Sequence, residues 1–332
     1  MKKILNSPQT YVDEMLEGLC AAHPRYYKQT GPQGRVITRA TPGPKGKVGI
    51  VTGGGSGHLP VFTGYVGEGL LDACAIGDVF ASPTIEQMAE TMRQADRGAG
   101  VLRLFGNYGG DVMNFDMAGD LVDMEGLRCT TVVLADDVIS APLAEKHKRR
   151  GTGGLVYGFK IAGAKAETMA SLDEVTRVAQ KAADACHSIG MALTPCTVPQ
   201  AGKPTFTLGD DEMEIGMGIH GEPGVSRRKL ESAEKIVGDM MDRLLADVAL
   251  NAKSRVSVMV NSLGATPPEE LYISYRHVKN AVEAAGATIV QPLVGRYATS
   301  MEMAGMTITL CNLDTELEAL LAAPCDCAFW RV

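Results

Sequence analysis

The sequence of 332 residues predicts an α/β protein built from two unlike α/β domains. Three observations predict this class: short apolar strands alternate with helical stretches, glycine-rich segments follow the strands, and prolines interrupt regular structure between residues 195 and 204. The prolines place a domain boundary near residue 190. This boundary gives an N-terminal domain of residues 1–190 and a C-terminal domain of residues 191–332.

Composition and charge exclude several classes of protein. Hydrophobic residues make up 45% and charged residues 21%, as in ordinary globular domains and unlike disordered chains or coiled coils. The 32 Lys and Arg residues against 39 Asp and Glu residues leave a formal net charge of −7, so nucleic acid and anionic membranes are poor partners. Eight cysteines without paired spacing, no secretory leader and no long apolar run predict reduced thiols and a cytoplasmic protein.

The N-terminal half is predicted to contain strands that each lead into a segment rich in glycine or aspartate. Before them, Ser7-Pro8 predicts a helix with Ser7 as its N-cap. Apolar runs predict the strands, and helical periodicity predicts the helices between them. The predicted strands are 47–52, 101–105 and 130–135, and the predicted helices are 84–95, 115–125 and 172–186.

The C-terminal half is predicted to continue with further α/β units. Short apolar or alternating runs again predict strands, and periodic stretches bounded by prolines or polar residues predict helices. The predicted strands are 206–208, 214–219, 255–260, 288–290 and 307–310, and the predicted helices are 227–245 and 267–285.

The segment Gly53–His58 holds the densest cluster of glycines and follows the first predicted strand. A glycine loop at this place exposes backbone N–H groups to a ligand, or it forms a tight structural turn. The segment fits neither the nucleophile elbow nor the dinucleotide-binding fingerprint, because His58 stands where each motif needs glycine. The chain also has no phosphate-binding loop of the P-loop type.

Asp111 ends a second glycine-rich segment, Gly106–Asp111, which follows another predicted strand. The carboxyl ends of neighbouring parallel strands lie along one edge of a sheet, where α/β proteins bind ligands. His58 and Asp111 are therefore expected at the same edge. An aspartate after two glycines is also common as a turn or cap residue, and that reading stays open.

His220 follows a run, residues 215–219, in which apolar residues alternate with glycines. A strand here would bury the apolar side chains and leave the face of His220 almost bare, with room for a ligand. Two histidines and an aspartate could also bind a metal. Their spacing contains no local chelate, so we predict no metal site on this chain.

At these three segments the sequence resembles the substrate-binding subunit of dihydroxyacetone kinases. The motifs that carry the resemblance are Gly53-Gly54-Gly55-Ser56-Gly57-His58, Asn107-Tyr108-Gly109-Gly110-Asp111 with Asn114-Phe115, His187-Ser188-Ile189-Gly190, Thr197-Val198-Pro199, Gly202-Lys203-Pro204, Gly218-Ile219-His220-Gly221-Glu222-Pro223-Gly224 and Asn261-Ser262-Leu263-Gly264-Ala265-Thr266-Pro267. The resemblance covers nearly the whole chain. The resemblance implies two α/β domains with a ketose bound between them.

The resemblance also implies roles for particular residues. His220 matches the histidine that adds to the ketose carbonyl as a hemiaminal, Asp111 the base for the terminal hydroxyl, and His58 a hydrogen-bonding residue. Further substrate-contacting positions are Gly55, Ser56, Gly57 and Gly106. No cofactor is expected on this chain, because the resemblance implies a helical partner subunit that carries ATP or bound ADP with Mg²⁺. A homodimer is also expected.

Three departures from the family pattern bear on the substrate. Leu59 follows His58 where many members have Glu, Gly106 replaces a lysine of the dihydroxyacetone enzymes, and the linker over residues 245–255 is shorter than usual. The missing lysine opens volume that would suit a four-carbon ketose such as erythrulose, unless another residue fills the gap and dihydroxyacetone remains the substrate. The alternative function is a non-catalytic ketose sensor that partners a transcription regulator. Asp111 argues against it, because a sensor needs no base.

Overall fold

In the computed structural model, which describes residues 2–332, the chain forms two β-sheets with helices packed against both. The α/β class predicted from the sequence is confirmed, and the two sheets differ in the direction of their strands. The first sheet uses residues 27–134 and the second uses residues 186–313. Residue 190, the predicted boundary, lies within a strand of the second sheet, and a division into domains at that point stays a prediction.

The first sheet has a parallel centre and an antiparallel edge. Its strands are β1 (Tyr27–Thr30), β2 (Val36–Arg39), β3 (Gly49–Ser56), β4 (Ala73–Val79), β5 (Val101–Gly106) and β6 (Cys129–Leu134). Their order is β1-β2-β4-β3-β5-β6, with β3 to β6 parallel and β1 and β2 antiparallel to their neighbours. Because Gly49 of β3 pairs with Val101 of β5, the carboxyl ends of these two strands reach the same edge of the sheet.

The second sheet is mostly antiparallel, which the sequence patterns did not predict. Its strands are β7 (Cys186–Thr194), β8 (Glu212–Ile215), β9 (Ser226–Lys229), β10 (Arg255–Ser262), β11 (Thr288–Ile289), β12 (Leu293–Gly295) and β13 (Ala304–Leu313). Their order is β11-β10-β13-β7-β8-β9, and β12 pairs with β10 beyond the end of β11. The strands β11 and β12 run parallel to β10, and the other pairs are antiparallel.

The helices differ in how they begin, some with a side-chain cap and some without one. They are α1 (Tyr11–Ala22), α2 (Ile85–Ala95), α3 (Gly109–Asp123), α4 (Gly154–Glu167), α5 (Leu172–Ala185), α6 (Ala233–Asp247), α7 (Pro268–Ala284) and α8 (Thr315–Ala322). At α2 the Thr84 hydroxyl accepts the N–H of Gln87, and the Gln87 side chain accepts the N–H of Thr84 in return. At α5 and α6 the Ser171 and Ser232 hydroxyls accept the N–H of Glu174 and of Lys235, without a bond in return.

Helix α4 lies between the two sheets and contacts strands of both. The sequence analysis missed it, because 12 of its 14 residues are buried and a helix that is buried on all sides shows no clear periodic pattern. Gly163 allows close approach, since a Cβ there would overlap the backbone of Leu70. No helix within residues 2–332, α4 included, is long and apolar enough to cross a membrane.

The N-terminal helix begins later than predicted. Thr10 is its N-cap residue, and α1 starts at Tyr11. The Ser7 hydroxyl instead accepts the N–H of Thr10 at 3.2 Å and closes a turn ahead of the helix. The prediction of Ser7 as N-cap was therefore wrong by three residues, because a polar residue before a proline also favours a turn.

Two predictions in the second half were also wrong. Residues 226–229 form the edge strand β9, so the helix predicted over 227–245 begins at Ala233, after its cap. Residues 206–208, predicted as a strand, lie outside both sheets. Residues 226–229 became a strand because β8 pairs with them, whereas residues 206–208 have no strand to pair with in the part of the chain that the structure describes.

Candidate functional site

The first glycines of the segment Gly53–His58 lie within strand β3 and not in a loop. Residues 53–55 pair with β4, so they belong to the sheet. A side chain on Gly54 would collide with the ring of Phe62, which shows that glycine here permits close packing. The chain leaves the strand at Gly57, which has a φ of +104°. The predicted loop is therefore confined to Gly57 and His58.

His58 is held by a residue from the second half of the chain. Its Nδ1 lies 2.6 Å from the carbonyl oxygen of Thr299, which can only accept a hydrogen bond, so Nδ1 carries the proton. Nε2 is left as an acceptor, and this buried atom has no hydrogen-bond partner among residues 2–332. Burial and the neighbouring His220 ring lower the pKa of His58 to about 3, so the ring is neutral at neutral pH.

His220 lies in a tight turn and not on a strand. The strand predicted over 214–219 was wrong beyond Ile215, because the chain turns at Gly216 with a φ of +87°. Glu222 then holds His220 twice: one carboxylate oxygen accepts its backbone N–H at 2.9 Å, and the other lies 3.0 Å from its ring Nδ1. With Nδ1 donating to a carboxylate, the Nε2 lone pair of His220 is available for chemistry.

Glu222 is ionised in this turn. Burial raises its pKa, but the hydrogen bond and charge of His220 and the backbone N–H groups lower it further, to about 2. Gly218 provides the space, since a side chain there would overlap the Glu222 carboxylate. A carboxylate on Nδ1 orients an imidazole and stabilises positive charge on it, which favours nucleophilic attack by Nε2.

Aromatic rings pack around the two histidines. The ring centroids of His58 and His220 lie 4.8 Å apart. Phe80 stacks on His58 at 4.9 Å, and Tyr108 meets the His220 ring edge-on at 4.7 Å. Phe80 has a φ of +58°, a conformation that costs energy for a residue with a side chain and that is common at functional sites. The structure thus brings together histidines from distant parts of the sequence in an aromatic surrounding.

Asp111 lies in the first turn of α3, which begins at Gly109, earlier than the helix predicted from residue 115. Burial raises the pKa of Asp111 to about 6, although a hydrogen bond from Ser82 and the charge of nearby His220 lower it. Its Oδ1 is buried without a hydrogen-bond partner in the part of the chain that the structure describes. Such a carboxylate is suited to accept a proton near neutral pH.

Gly106 lies against Tyr108 and not beside open space. A Cβ on Gly106 would lie 3.2 Å from the Tyr108 ring and 3.5 Å from the carbonyl oxygen of Gly151. The Tyr108 hydroxyl donates to that same oxygen at 3.0 Å, which fixes the ring. The volume expected from the missing lysine is therefore filled on this side by Tyr108. Because Tyr108 also contacts His220, Gly106 is linked to the site through one ring.

The other predicted substrate-contacting positions are distributed around the end of β3. Gly55 is packed against the backbone of Phe80. Ser56 and Gly57 line a cavity of about 470 Å³ together with Thr299. The roles of these three residues in substrate binding stay predictions.

Four further residues belong to the site but received no role from the sequence analysis: Phe80, Tyr108, Glu222 and Thr299. Tyr108 and Glu222 lie inside motifs that carry the resemblance, and the His-x-Glu spacing could have indicated a carboxylate paired with His220. Phe80 and Thr299 carried no signal, because their positions depend on how the two sheets meet.

Metal-binding groups do not gather at this site. Within residues 2–332, no three or more His, Cys, Asp or Glu side chains are arranged to hold a metal ion. All eight cysteines are free thiols, and six of them are buried.

Residues 17–329 of the chain match the sequence model of a protein family, the Dak1 domain. The chain belongs to the Dak1 family. Among curated Dak1 relatives, the dihydroxyacetone-binding subunit DhaK of the PTS-dependent dihydroxyacetone kinase 1 of Listeria innocua is 44% identical over 331 residues, which cover 99% of this chain and 100% of that protein. The D-erythrulose kinase of Mycolicibacterium smegmatis is 42% identical over 326 residues, which cover 98% of this chain and 56% of that enzyme. The resemblance found in the sequence is confirmed.

Solved structures share the Dak1 fold. The dihydroxyacetone kinase of C. freundii superposes with a TM-score of 0.91 at 30% identity, over 99% of this chain and 60% of that chain. The dihydroxyacetone kinase operon co-activator DhaQ superposes with a TM-score of 0.88 at 33% identity, over 94% and 96% of the two chains. The fold thus occurs in a kinase and in a co-activator, so function must be argued from the site.

Proposed function

We propose that this Dak1 chain is the ketose-binding subunit of a dihydroxyacetone-type kinase. His220 binds a short ketose covalently, and a partner subunit that carries the nucleotide phosphorylates the terminal hydroxyl. The observation that carries the proposal is the pairing of His220 with Glu222 close to Asp111, whose pKa is raised to about 6. A nucleophile and a base in one site suit the relatives named as dihydroxyacetone and erythrulose kinases, which are phosphotransferases that act on an alcohol group.

The covalent step uses both nitrogens of His220. The Nε2 lone pair attacks the carbonyl carbon, a carbon–nitrogen bond forms, and the π electrons of the carbonyl move to its oxygen. The ring proton on Nδ1 passes to Glu222 and from there through solvent to the new alkoxide, so the hemiaminal is neutral. Glycerol has no carbonyl carbon to attack, so this chemistry selects ketoses and aldehydes over polyols.

Asp111 is proposed as the base for phosphoryl transfer. It takes the proton of the terminal hydroxyl as that oxygen bonds to phosphorus, while the bond from phosphorus to the leaving nucleotide oxygen breaks. His58 accepts a hydrogen bond from a ketose hydroxyl at Nε2, because its Nδ1–H is already donated to Thr299. The backbone of Gly55 to Gly57 is proposed to contact the same ketose.

The nucleotide is proposed to lie on a helical partner subunit. This chain has no phosphate-binding loop. Either ATP or bound ADP is proposed on the partner, and relatives named as binding subunits of PTS-dependent and PEP-dependent kinases support a donor coupled to the phosphotransferase system. Mg²⁺ on that subunit would neutralise charge on the transferring phosphoryl group. The chain is further proposed to act as a homodimer in the cytoplasm, which rests on the family resemblance.

A ketose sensor is the second candidate function, because a co-activator shares the fold. A sensor needs the covalent histidine but has no use for a base at the terminal hydroxyl. Asp111 is buried with an unpaired oxygen, an arrangement that costs stability and that a sensor would not require. The site therefore favours the kinase.

We expect ketose phosphorylation only when the partner subunit is present, because this chain has no phosphate-binding loop of the P-loop type and the resemblance implies that a partner carries the nucleotide. The assay follows sugar phosphate from dihydroxyacetone or erythrulose with MgATP, or with the phosphotransferase system, with and without the partner. Turnover by the chain alone would contradict the proposed division of roles. Covalent ketose binding without any phosphorylation in the complete mixture would favour the sensor.

We expect Gly106→Lys to shift the ratio of kcat/KM for erythrulose over dihydroxyacetone toward the triose. The lysine stem would displace the Tyr108 ring and take space beside His220, and one hydroxymethyl group is typically worth ~1–3 kcal/mol of discrimination. The matched control is Tyr108→Phe, which keeps the ring and removes the hydroxyl. An unchanged ratio in Gly106→Lys would show that Gly106 does not set the length of the substrate.

A further inference from the structure

We propose that Asn261 is a positioning residue that holds His58, across the two sheets, in the tautomer and orientation that the site uses. Asn261 lies in β10 of the second sheet, and His58 follows β3 of the first sheet. The residues between them are the loop 297–301. The importance of the His58 tautomer for catalysis rests on the function proposed above, whereas the tautomer itself is a property of the free protein.

Asn261 uses its side-chain amide to join this loop to strand β13. Its Nδ2 donates to the carbonyl oxygen of Ala298 at 2.7 Å and to the hydroxyl of Thr307 at 2.9 Å. Its Oδ1 accepts the N–H groups of Tyr297 at 2.8 Å and of Ala298 at 3.0 Å. The residue is fully buried. An amide has an NH₂ group that donates twice and an oxygen that accepts twice. No other side chain of this size can make these four hydrogen bonds.

The loop in turn holds the backbone on both sides of His58. The carbonyl oxygen of Thr299, the residue after Ala298, accepts the Nδ1–H of His58 at 2.6 Å. The Thr299 hydroxyl donates to the carbonyl of Leu59 at 3.1 Å, and the N–H of Met301 donates to the carbonyl of Gly57 at 2.8 Å. The positions of Thr299 and His58 are therefore fixed relative to each other by several bonds.

A second, independent feature ties the segment after Asn261 to the same loop. Gly264 has a φ of +143°, and a Cβ there would overlap the carbonyl oxygen of Met301. The N–H of Ser300 donates to the carbonyl of Leu263 at 2.7 Å. Backbone thus packs directly on backbone, which only glycine permits. The motif that begins at Asn261 carries no substrate-contacting role in the resemblance, and this packing explains its glycine.

The tautomer of His58 depends on the position of the Thr299 carbonyl. A neutral imidazole has one N–H, and the nitrogen that bears it is set by the hydrogen bond that the ring makes. If the carbonyl moves away, the proton can occupy Nε2 instead. Nε2 then becomes a donor and can no longer accept a ketose hydroxyl.

The test is Asn261→Asp, which keeps the acceptor for the loop N–H groups and removes both donors. NMR of the ring nitrogens in the ketose-free protein reports the His58 tautomer. We expect a loss of the Nδ1–H form and a fall in kcat with the partner of about 10- to 10²-fold, as for displacement of a catalytic group by about an ångström. The matched control is Ser257→Ala on the same strand, where the hydroxyl bonds Tyr157 and the carbonyl of Gln291.

Ser257→Ala is expected to lower the melting temperature like Asn261→Asp but to leave the tautomer and kcat unchanged. Thr307→Val removes one acceptor of the Asn261 amide and so holds it less firmly against the loop. It is expected to give a smaller loss of the Nδ1–H form and decides the question if Asn261→Asp does not fold. Retention of the native tautomer in the folded variants, or an equal change in Ser257→Ala, would overturn the proposal. The NMR measurement needs no ketose, so it decides the role of Asn261 even if the proposed kinase function fails.

Discussion

Asp111→Asn is expected to lower phosphoryl transfer by ~10²–10⁴-fold while leaving ketose binding largely intact. Asparagine keeps the shape of the side chain and can hydrogen-bond, but it cannot take the proton of the terminal hydroxyl. The measurements are kcat with the partner subunit and the Kd of the ketose from titration of the chain alone. Equal losses in binding and in rate would make Asp111 a positioning residue and not the base.

Asp116→Asn is the matched control, because it removes a carboxylate from the same helix at a side chain that is 62% exposed. It is expected to leave rate and binding unchanged.

The free energy of unfolding distinguishes loss of the base in Asp111→Asn from damage to the fold. The pKa of Asp111 is raised from 3.8 to about 6, so its ionisation reduces stability as the pH rises through that interval. Asp111→Asn should therefore be at least as stable as the native chain at neutral pH.

The pH dependence of the native reaction gives a further check on Asp111. A base acts in its ionised form, so kcat should fall as the pH drops through about 6 and level off above it. The Asp116→Asn variant should keep this profile. The residual activity of Asp111→Asn should lack it.

His220→Asn is expected to abolish the covalent adduct and to lower kcat/KM by at least about 10²-fold, because the ketose loses the bond that places its hydroxyl beside Asp111. Asparagine preserves a polar side chain of similar reach but has no nucleophilic nitrogen. Carbon NMR of a ketose labelled at its carbonyl measures the adduct, since the ketone signal moves to that of a tetrahedral carbon. A crystal structure with the ketose lying free of the His220 ring would refute the covalent step in the native chain.

Two variants serve as controls for His220. His277→Asn replaces a partly buried histidine on α7 and should leave adduct and rate unchanged. Glu222→Gln keeps the size of the side chain that contacts Nδ1 but removes its negative charge. It should reduce the fraction of adduct without abolishing it, because the nucleophile is present but less well stabilised as it gains positive charge. An unchanged adduct in Glu222→Gln would limit Glu222 to holding the turn.

Local signals predicted much of the fold, and tertiary effects account for the errors. Apolar runs predicted β5, β6 and β10, and helical periodicity predicted α2 and α5. Helix α4 was missed because burial on all sides removes the periodic pattern. The edge strand β9 was taken for a helix because pairing with β8 decided its conformation.

The sequence by itself determined the α/β class, the Dak1 family and the three segments that supply His58, Asp111 and His220. These follow from residue types and their order along the chain, which can be read without coordinates. The sequence also left open whether the glycines of the first segment form a ligand-binding loop or a tight structural turn. The structure shows that most of them lie within β3, because the Phe62 ring and the Phe80 backbone approach too closely for any side chain.

Only the tertiary structure decided which groups surround the histidines. Glu222 is two residues from His220, but whether its carboxylate reaches Nδ1 depends on the turn that Gly216 and Gly218 permit. Thr299 lies 241 residues from His58 along the chain, yet its carbonyl decides which ring nitrogen carries the proton. Hydrogen bonds at a site are set by distances of a few ångströms between elements of different sheets, and no local pattern of residues encodes such distances.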